Sequence, residues 1–333
     1  MASSPCRIIV SRTDRLGDVV LTLPLLGLLR ERWPEAEVIA LVREYARPIV
    51  AASKHVSGVA VWPEHHAATD LERAALLRAI GADTILHVFP RREVAAAARA
   101  AGIPRRIGTA RRWFHWLTCT ERINVSRKRS SLHEAQLNLK LSAPLLSRTD
   151  HALDALVPHI GLTRAPALSA ALAARLPPDR LNVLLQPLTG GTVPPWPLER
   201  WTALTRALPA DRFHFFVTGT ASEGAALAPW IAGLPSHVEN ATGLGLAELL
   251  SFTRASGGLV AASTGPLHIA AALGIHALGL YPARSNALLS RWHPLGARAE
   301  VITAPEPLHS PASLSIDDIS SDEVARALLA WLR

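Results

Sequence analysis

Two short segments concentrate the residue types that move protons and hold anions. Residues 12–23 read RTDRLGDVVLTL. They follow RIIVS at 7–11, an apolar run that reads as a short buried strand. Gly17 permits a tight turn or a close approach of ligand to backbone. Asp18 then opens a helical turn, where the helix dipole favours a carboxylate. Pro24 does not fit inside a continuous helix, so a short turn followed by a longer helix near residue 24 is expected. Asp18 has two readings: a cap of that turn, or a general base that takes the proton of an attacking hydroxyl. Asp14 is the competing carboxylate. Arg12 and Arg15 are candidate contacts for phosphate or an acceptor.

The second segment, 259–273, reads LVAASTGPLHIAAAL. A strand ends near Ala262, and Ser263 or Thr264 can cap the helix that follows. Gly265 lets the backbone come close to a ligand, and Pro266 suits a first helical turn. Free amides and the positive dipole end make such a tip an anion site. His268 lies one turn in. The plain alternative is an ordinary capped helix with a satisfied histidine. Two weaker signals accompany it. Residues 219–223 read GTASE, and the Glu223 carboxylate could accept two hydroxyl donors, although a solvated glutamate at a helix start reads the same. Residues 187–201 read PLTGGTVPPWPLERW.

These segments need a scaffold that ends strands beside helix tips. In the first half, strands are expected at 7–11, 37–42, 59–62 and 83–88, with helices at 25–32, 67–80 and 91–101. In the second, strands are expected at 181–186, 213–218, 257–261 and 276–281, with helices at 197–208, 222–231, 246–255 and 266–273. Strand–helix alternation implies right-handed crossovers and parallel sheets. The chain of 333 residues is long enough for two domains. Residues 158–178, rich in Ala and Pro, read as the linker, giving domains 1–165 and 166–333. Residues 317–332 read as a last amphipathic helix that could pack back on the first domain. Ligands of such sheets bind at the carboxyl ends of the strands.

Composition narrows the field. Hydrophobic residues are 49% of the chain and charged ones 19%, enough to build cores and too apolar for global disorder. No apolar run approaches the roughly 20 residues of a membrane span, and residues 1–7 lack the pattern of a signal peptide. A cytoplasmic protein is expected, with peripheral contact at the inner membrane surface left open. Cys6 and Cys119 give neither a disulfide framework nor a zinc motif. His65-His66 has no partner at ligand spacing, and no Asp-x-Asp pair is present, so no metal and no cofactor are expected. The net charge is +8, almost all of it from arginine, which favours anionic partners. The charge is densest at 105–129, where Arg105, Arg106, Arg111, Arg112, Arg122, Arg127, Lys128 and Arg129 are interrupted by Trp113, Phe114, His115 and Trp116. That segment reads as a solvated loop, as a surface for an acidic acceptor or membrane, or, least well, as a nucleic-acid site.

DRLGDVVLTLP at 14–24 resembles the opening motif of family 9 glycosyltransferases, the ADP-heptose:lipopolysaccharide heptosyltransferase family. STGPLHIAAALG at 263–274 is similar to that family's nucleotide-diphosphate segment. The resemblance implies a GT-B fold: α/β, two Rossmann-like domains with parallel sheets facing a central cleft. It implies an inverting, metal-independent transfer of heptose or a related sugar from an ADP-sugar to an anionic lipopolysaccharide-core acceptor. Asp18 matches the catalytic base. Arg12, Asp14, Arg15 and Gly17 would meet the acceptor or phosphate. Thr189, Trp196, Gly219, Glu223, Thr264, Gly265, Pro266 and His268 would hold the donor. The chain departs from the pattern at Pro194, where the family has a donor-binding lysine; Arg284 or Arg12 could substitute. The rival readings are another GT-B enzyme, such as an epimerase or a transferase of a different sugar, and a non-catalytic nucleotide-sugar-binding relative.

Overall fold

The computed structural model describes residues 4–64, 67–128, 130–191, 193–283, 286–305 and 315–333. The chain divides into two compact units, Met1–Arg164 and Ala165–Arg333. His65, His66, Arg129 and Arg284 lie outside the described residues.

The first unit is built on six parallel strands: β1 (Arg7–Ser11), β2 (Glu37–Val42), β3 (Gly58–Val61), β4 (Thr84–His87), β5 (Arg105–Thr109) and β6 (Glu121–Ile123). Their spatial order is β3-β2-β1-β4-β5-β6. The second unit repeats the plan with β7 (Leu181–Gln186), β8 (Phe213–Val217), β9 (Val238–Asn240), β10 (Gly258–Ala262), β11 (His276–Tyr281) and β12 (Ala299–Thr303). Its order is β12-β11-β10-β7-β8-β9. Counted from its own first strand, each sheet therefore runs 3-2-1-4-5-6, the Rossmann order. Each reverses direction between its first and fourth strands, the switch point where such sheets bind ligands. In the first unit that point separates β1 from β4, with Ser11 opposite His87. In the second it separates β7 from β10, with Gln186 opposite Ala261.

The strands are apolar throughout because helices cover both faces. Ile8, Ile9 and Val10 are all buried in β1. In β7 the alternation of side chains sends Val183 and Leu185 to one core and Leu184 to the other. The expected strands all form. β5, β6, β9 and β12 were not expected. RRIGT in β5 carries one aliphatic residue, and its arginines are absorbed locally. Arg105 pairs with Glu121 and donates to the Pro144 carbonyl, and Arg106 donates to the Thr118 carbonyl.

Helix starts follow capping chemistry. The helix expected from residue 67 begins at Asp70, because Thr69 and Glu72 form a reciprocal capping box. The last helix is Ser321–Ala330, capped by Ser320. It lies against Leu198–Ala207 of its own unit, with Val324 and Leu328 fully buried. The region expected to be a plain linker holds a 3-10 turn at Asp154–His159, a bridge between Ser53 and Leu162, and a short helix at Ala170–Ala173. Among the described residues no helix is long and apolar enough to cross a membrane.

Candidate functional site

The loop leaving β1 forms the five-residue helix Leu16–Val20, and a second helix, Leu23–Arg32, begins with Pro24 in its first turn. The expected break before Pro24 is present. The Thr22 hydroxyl donates to the Asp18 carbonyl at 2.8 Å and helps close the bend.

Arg12 organises this loop from inside. Its guanidinium is 4% exposed and faces carboxylates on three sides. Nε donates to Asp14 Oδ1 at 2.7 Å, Nη2 reaches Asp18 Oδ1 at 2.7 Å, and Nη1 reaches Glu134 Oε1 at 2.8 Å. Glu134 is fully buried and is also held by Arg127 Nε at 2.9 Å. Asn138, one turn along the helix Glu134–Leu141, accepts from both arginines and donates to the Leu21 carbonyl at 3.3 Å. Tyr45 donates its hydroxyl hydrogen to the Asp14 carbonyl. Burial opposes the Arg12 charge, but Asp14, Asp18 and Glu134 outweigh it and hold its pKa above the ordinary value. Burial pushes the Asp14 carboxyl up to about 6. Arg12 pulls against that shift, and the charges of Asp18 and Glu134 add to it. Asp14 and Asp18 keep 13% and 14% side-chain exposure, so each retains an oxygen surface that a substrate could meet.

The second segment lies at the other sheet's switch point. β10 ends at Ala262, and the helix Gly265–Ala272 starts two residues later with Thr264 as N-cap and Pro266 in the first turn. First-turn amides have no intrahelical acceptor. Pro266 has no N–H, so Gly265 and Leu267 carry the first-turn amides without an intrahelical acceptor, and of these only Gly265 belongs to a residue with exposed surface; the His268 amide turns back to the Thr264 carbonyl at 3.4 Å. The Thr264 side chain does not close its own cap, and its buried Oγ1 makes no hydrogen bond among the described residues. Leu267 and Ile269 are fully buried and His268 is 3% exposed. The tip is thus fixed by the core behind it.

The structure corrects several expectations. Arg12, expected as a phosphate or acceptor contact, is instead buried, with Nε, Nη1 and Nη2 all directed at internal partners, Asp14, Glu134, Asn138 and Asp18. For the same reason it cannot replace the lysine missing at Pro194. Gly17 sits in the helix Leu16–Val20 and is not among the glycines with positive φ, so no left-handed turn demands it. Trp196 is a core residue: it is 1% exposed, its Nε1 donates to the Ile319 carbonyl at 3.0 Å, and its ring meets Trp201 edge-on at 4.9 Å. Thr189 turns its hydroxyl to the Val193 carbonyl. Glu223 closes a capping box, accepting from the Thr220 amide at 2.7 Å beside Gly219. Arg15 is the exposed N-cap of the first short helix.

Sequence reasoning missed Glu134, Asn138 and Tyr45, and saw Arg127 only as surface charge. A signal existed for two of them. In SLHEAQLNLKL, Glu134 and Asn138 are four residues apart among Ala135, Leu137, Leu139 and Leu141. Glu134 and Asn138 stand on one helix stripe, four residues apart, and can face a common partner; Gln136 and Lys140 alternate with the apolar residues and mask that signal.

Two Rossmann-ordered units in one chain, each with its chemistry-bearing loop at the switch point, define the GT-B class of fold. Residues 73–314 match the model of "Glycosyltransferase family 9 (heptosyltransferase)", and the chain belongs to that family. A Haemophilus influenzae protein provisionally named a glycosyltransferase is 23% identical, the match covering 98% of this chain and 97% of that one. The crystal structure of a family 9 glycosyltransferase from Veillonella parvula superposes with a TM-score of 0.80 at 17% identity, over 98% of this chain and 97% of that chain. The E. coli ADP-heptose lipopolysaccharide heptosyltransferase II gives a TM-score of 0.74 at 18% identity, over 98% of each chain.

Proposed function

We propose that this glycosyltransferase moves a heptose, or a closely related sugar, from an ADP-sugar to an anionic lipopolysaccharide-core acceptor, by inversion and without a metal. The donor and acceptor classes are those in the name of the E. coli relative. An acceptor hydroxyl attacks the anomeric carbon, the bond from that carbon to the nucleotide diphosphate breaks, and the proton passes to Asp18. The diphosphate leaves with its charge at the Gly265 end of the helix Gly265–Ala272, where the dipole and a first-turn amide favour an anion. Pro266 fixes that first turn, and His268 stands beside it. Arg15 and the loop containing Asp14 would meet the acceptor.

The observation that carries this reading is positional. The two motifs border the switch points of two sheets of the same order, one offering a carboxylate held by a buried arginine, the other a helix tip that begins at Gly265. Thr189, Gly219 and Glu223 are kept as lesser donor contacts. Glu223 can serve the ribose only with the capacity its cap leaves over.

Calorimetric titration with ADP, UDP and GDP tests the donor half. ADP binding tightest is the expected result; preference for UDP or GDP, or no binding, would remove the ADP-sugar. A second reading assigns the base to Asp14. Its carboxyl, pushed up to about 6, is closer to neutral pH than an ordinary aspartate, and general bases work best near the working pH. A kcat/KM profile that falls below pH about 6 in the parent and loses that limb in Asp14→Asn would favour it.

A further inference from the structure

The helix Trp113–Thr118 is turned inside out. Residues three and four apart share a helix face. Here His115 and Thr118 point inward, at 0% and 8% exposure, while Trp113, Trp116 and Leu117 point outward at 62%, 61% and 62%. Such a cluster of large apolar side chains on a surface marks an interaction site. Cations frame it. Arg92 lies over the Trp113 ring at 5.3 Å and Arg122 over Trp116 at 4.7 Å, while Arg99 donates to the Leu117 carbonyl at 2.7 Å. All three arginines are exposed. The acids on the flanking elements are occupied elsewhere, Glu93 with Arg91 and Glu121 with Arg105. A groove of about 400 Å³ runs between this helix and Arg92–Ala100.

We propose that this face docks the protein on a bilayer rich in anionic phospholipid. Tryptophan rings are enriched at the headgroup boundary; Trp116 offers its ring there while its N–H donates to the Ala110 carbonyl at 3.1 Å. The arginines supply the attraction for headgroup phosphates. The docking element is this one helix face, not the basic segment as a whole. Arg105, Arg111 and Arg127 from that segment are committed to Glu121, Asn124 and Glu134, and Arg106 is half-buried against the Thr118, Ile103 and Pro104 carbonyls. Arg99 and Arg122, by contrast, are exposed, and each gives one donor to a carbonyl, of Leu117 and Cys119. The proposal does not depend on the transfer reaction, and its test reads binding alone.

The test is co-sedimentation of the full chain with phosphatidylcholine vesicles, with and without phosphatidylglycerol. The parent is expected to bind only the phosphatidylglycerol vesicles. Trp113→Ser/Trp116→Ser/Leu117→Ser should lower that binding at least about tenfold, and Arg92→Glu/Arg122→Glu by on the order of tenfold. Both should keep the parent's melting temperature, since the residues are exposed. If the serine variant folds poorly, the charge variant decides alone. Failure of the parent to bind, equal binding to neutral vesicles, or unchanged binding by the variants would overturn the proposal. So would sedimentation showing a parent dimer that the serine variant splits, which would assign the face to a second copy.

Discussion

The loop after β1 and the loop after β10 both border the switch point of their sheet, one after the first strand and the other after the fourth, and are stabilised in opposite ways. The first is saturated. Arg12, Arg127, Asn138, Asp14, Asp18 and Glu134 satisfy one another in a largely buried cluster. The second is held from behind by Leu267 and Ile269, and the buried Thr264 hydroxyl at its start makes no hydrogen bond among the described residues. The difference matches the demands of two tasks. A carboxylate that takes a proton must be oriented and kept ionised before substrate arrives. A site for an anion must keep its donors unspent.

That contrast can be broken first at Glu134. Glu134→Ala should cost about 3–5 kcal/mol in denaturant unfolding, because it removes the fully buried carboxylate that Arg12 and Arg127 share. A loss below about 1 kcal/mol would show that the cluster is not the support of the first loop. A smaller effect should come from Asp14. Its folded pKa of about 6 lies above its ordinary value of 3.8, so its contribution to stability is complete below about pH 4 and is lost as pH rises through 6. Asp14→Asn should flatten that fall, which is worth up to about 3 kcal/mol by linkage; urea midpoints measured from pH 4 to 7 would show it. The smallest effect is expected at the cap beside the second site. Glu223→Ala should cost about 1 kcal/mol in stability. A companion loss of ADP affinity, read by calorimetry, would sharpen the second unit's assignment by adding a ribose contact to the cap.

Much of this was legible in the chain. Apolar runs such as RIIVS and LNVLLQ, alternating with helical stretches, were enough for two parallel sheets. The STGP string placed a helix tip after β10 because cap, glycine and proline each have a fixed preference there. Strands with few aliphatic residues were not legible. RRIGT hides its pairing behind two arginines whose partners, Glu121 and the Thr118 carbonyl, lie on later elements. Trp196 looked like a ligand contact from its motif, yet packing against Trp201 and Ile319 decides its place. Arg12 read as a phosphate contact although Asp14 and Asp18 stand within six residues; what the segment does not show is its third carboxylate, Glu134, 122 residues away, which takes it into the interior. Long-range burial of charge leaves no local pattern to read.

The account rests on a division of labour, with the proton taken in the first unit and the diphosphate held in the second. It is tested most directly by measuring ADP affinity and turnover together for Asp18→Asn and Thr264→Asp. Aspartate is a good N-cap, so the second variant keeps its helix while placing a carboxylate where the diphosphate would sit. Asp18→Asn should bind ADP as the parent does and lose at least about 100-fold in kcat, whereas Thr264→Asp should lose at least about tenfold in ADP affinity with an unchanged melting temperature. Full turnover in Asp18→Asn, or undiminished ADP binding by Thr264→Asp, would contradict the account.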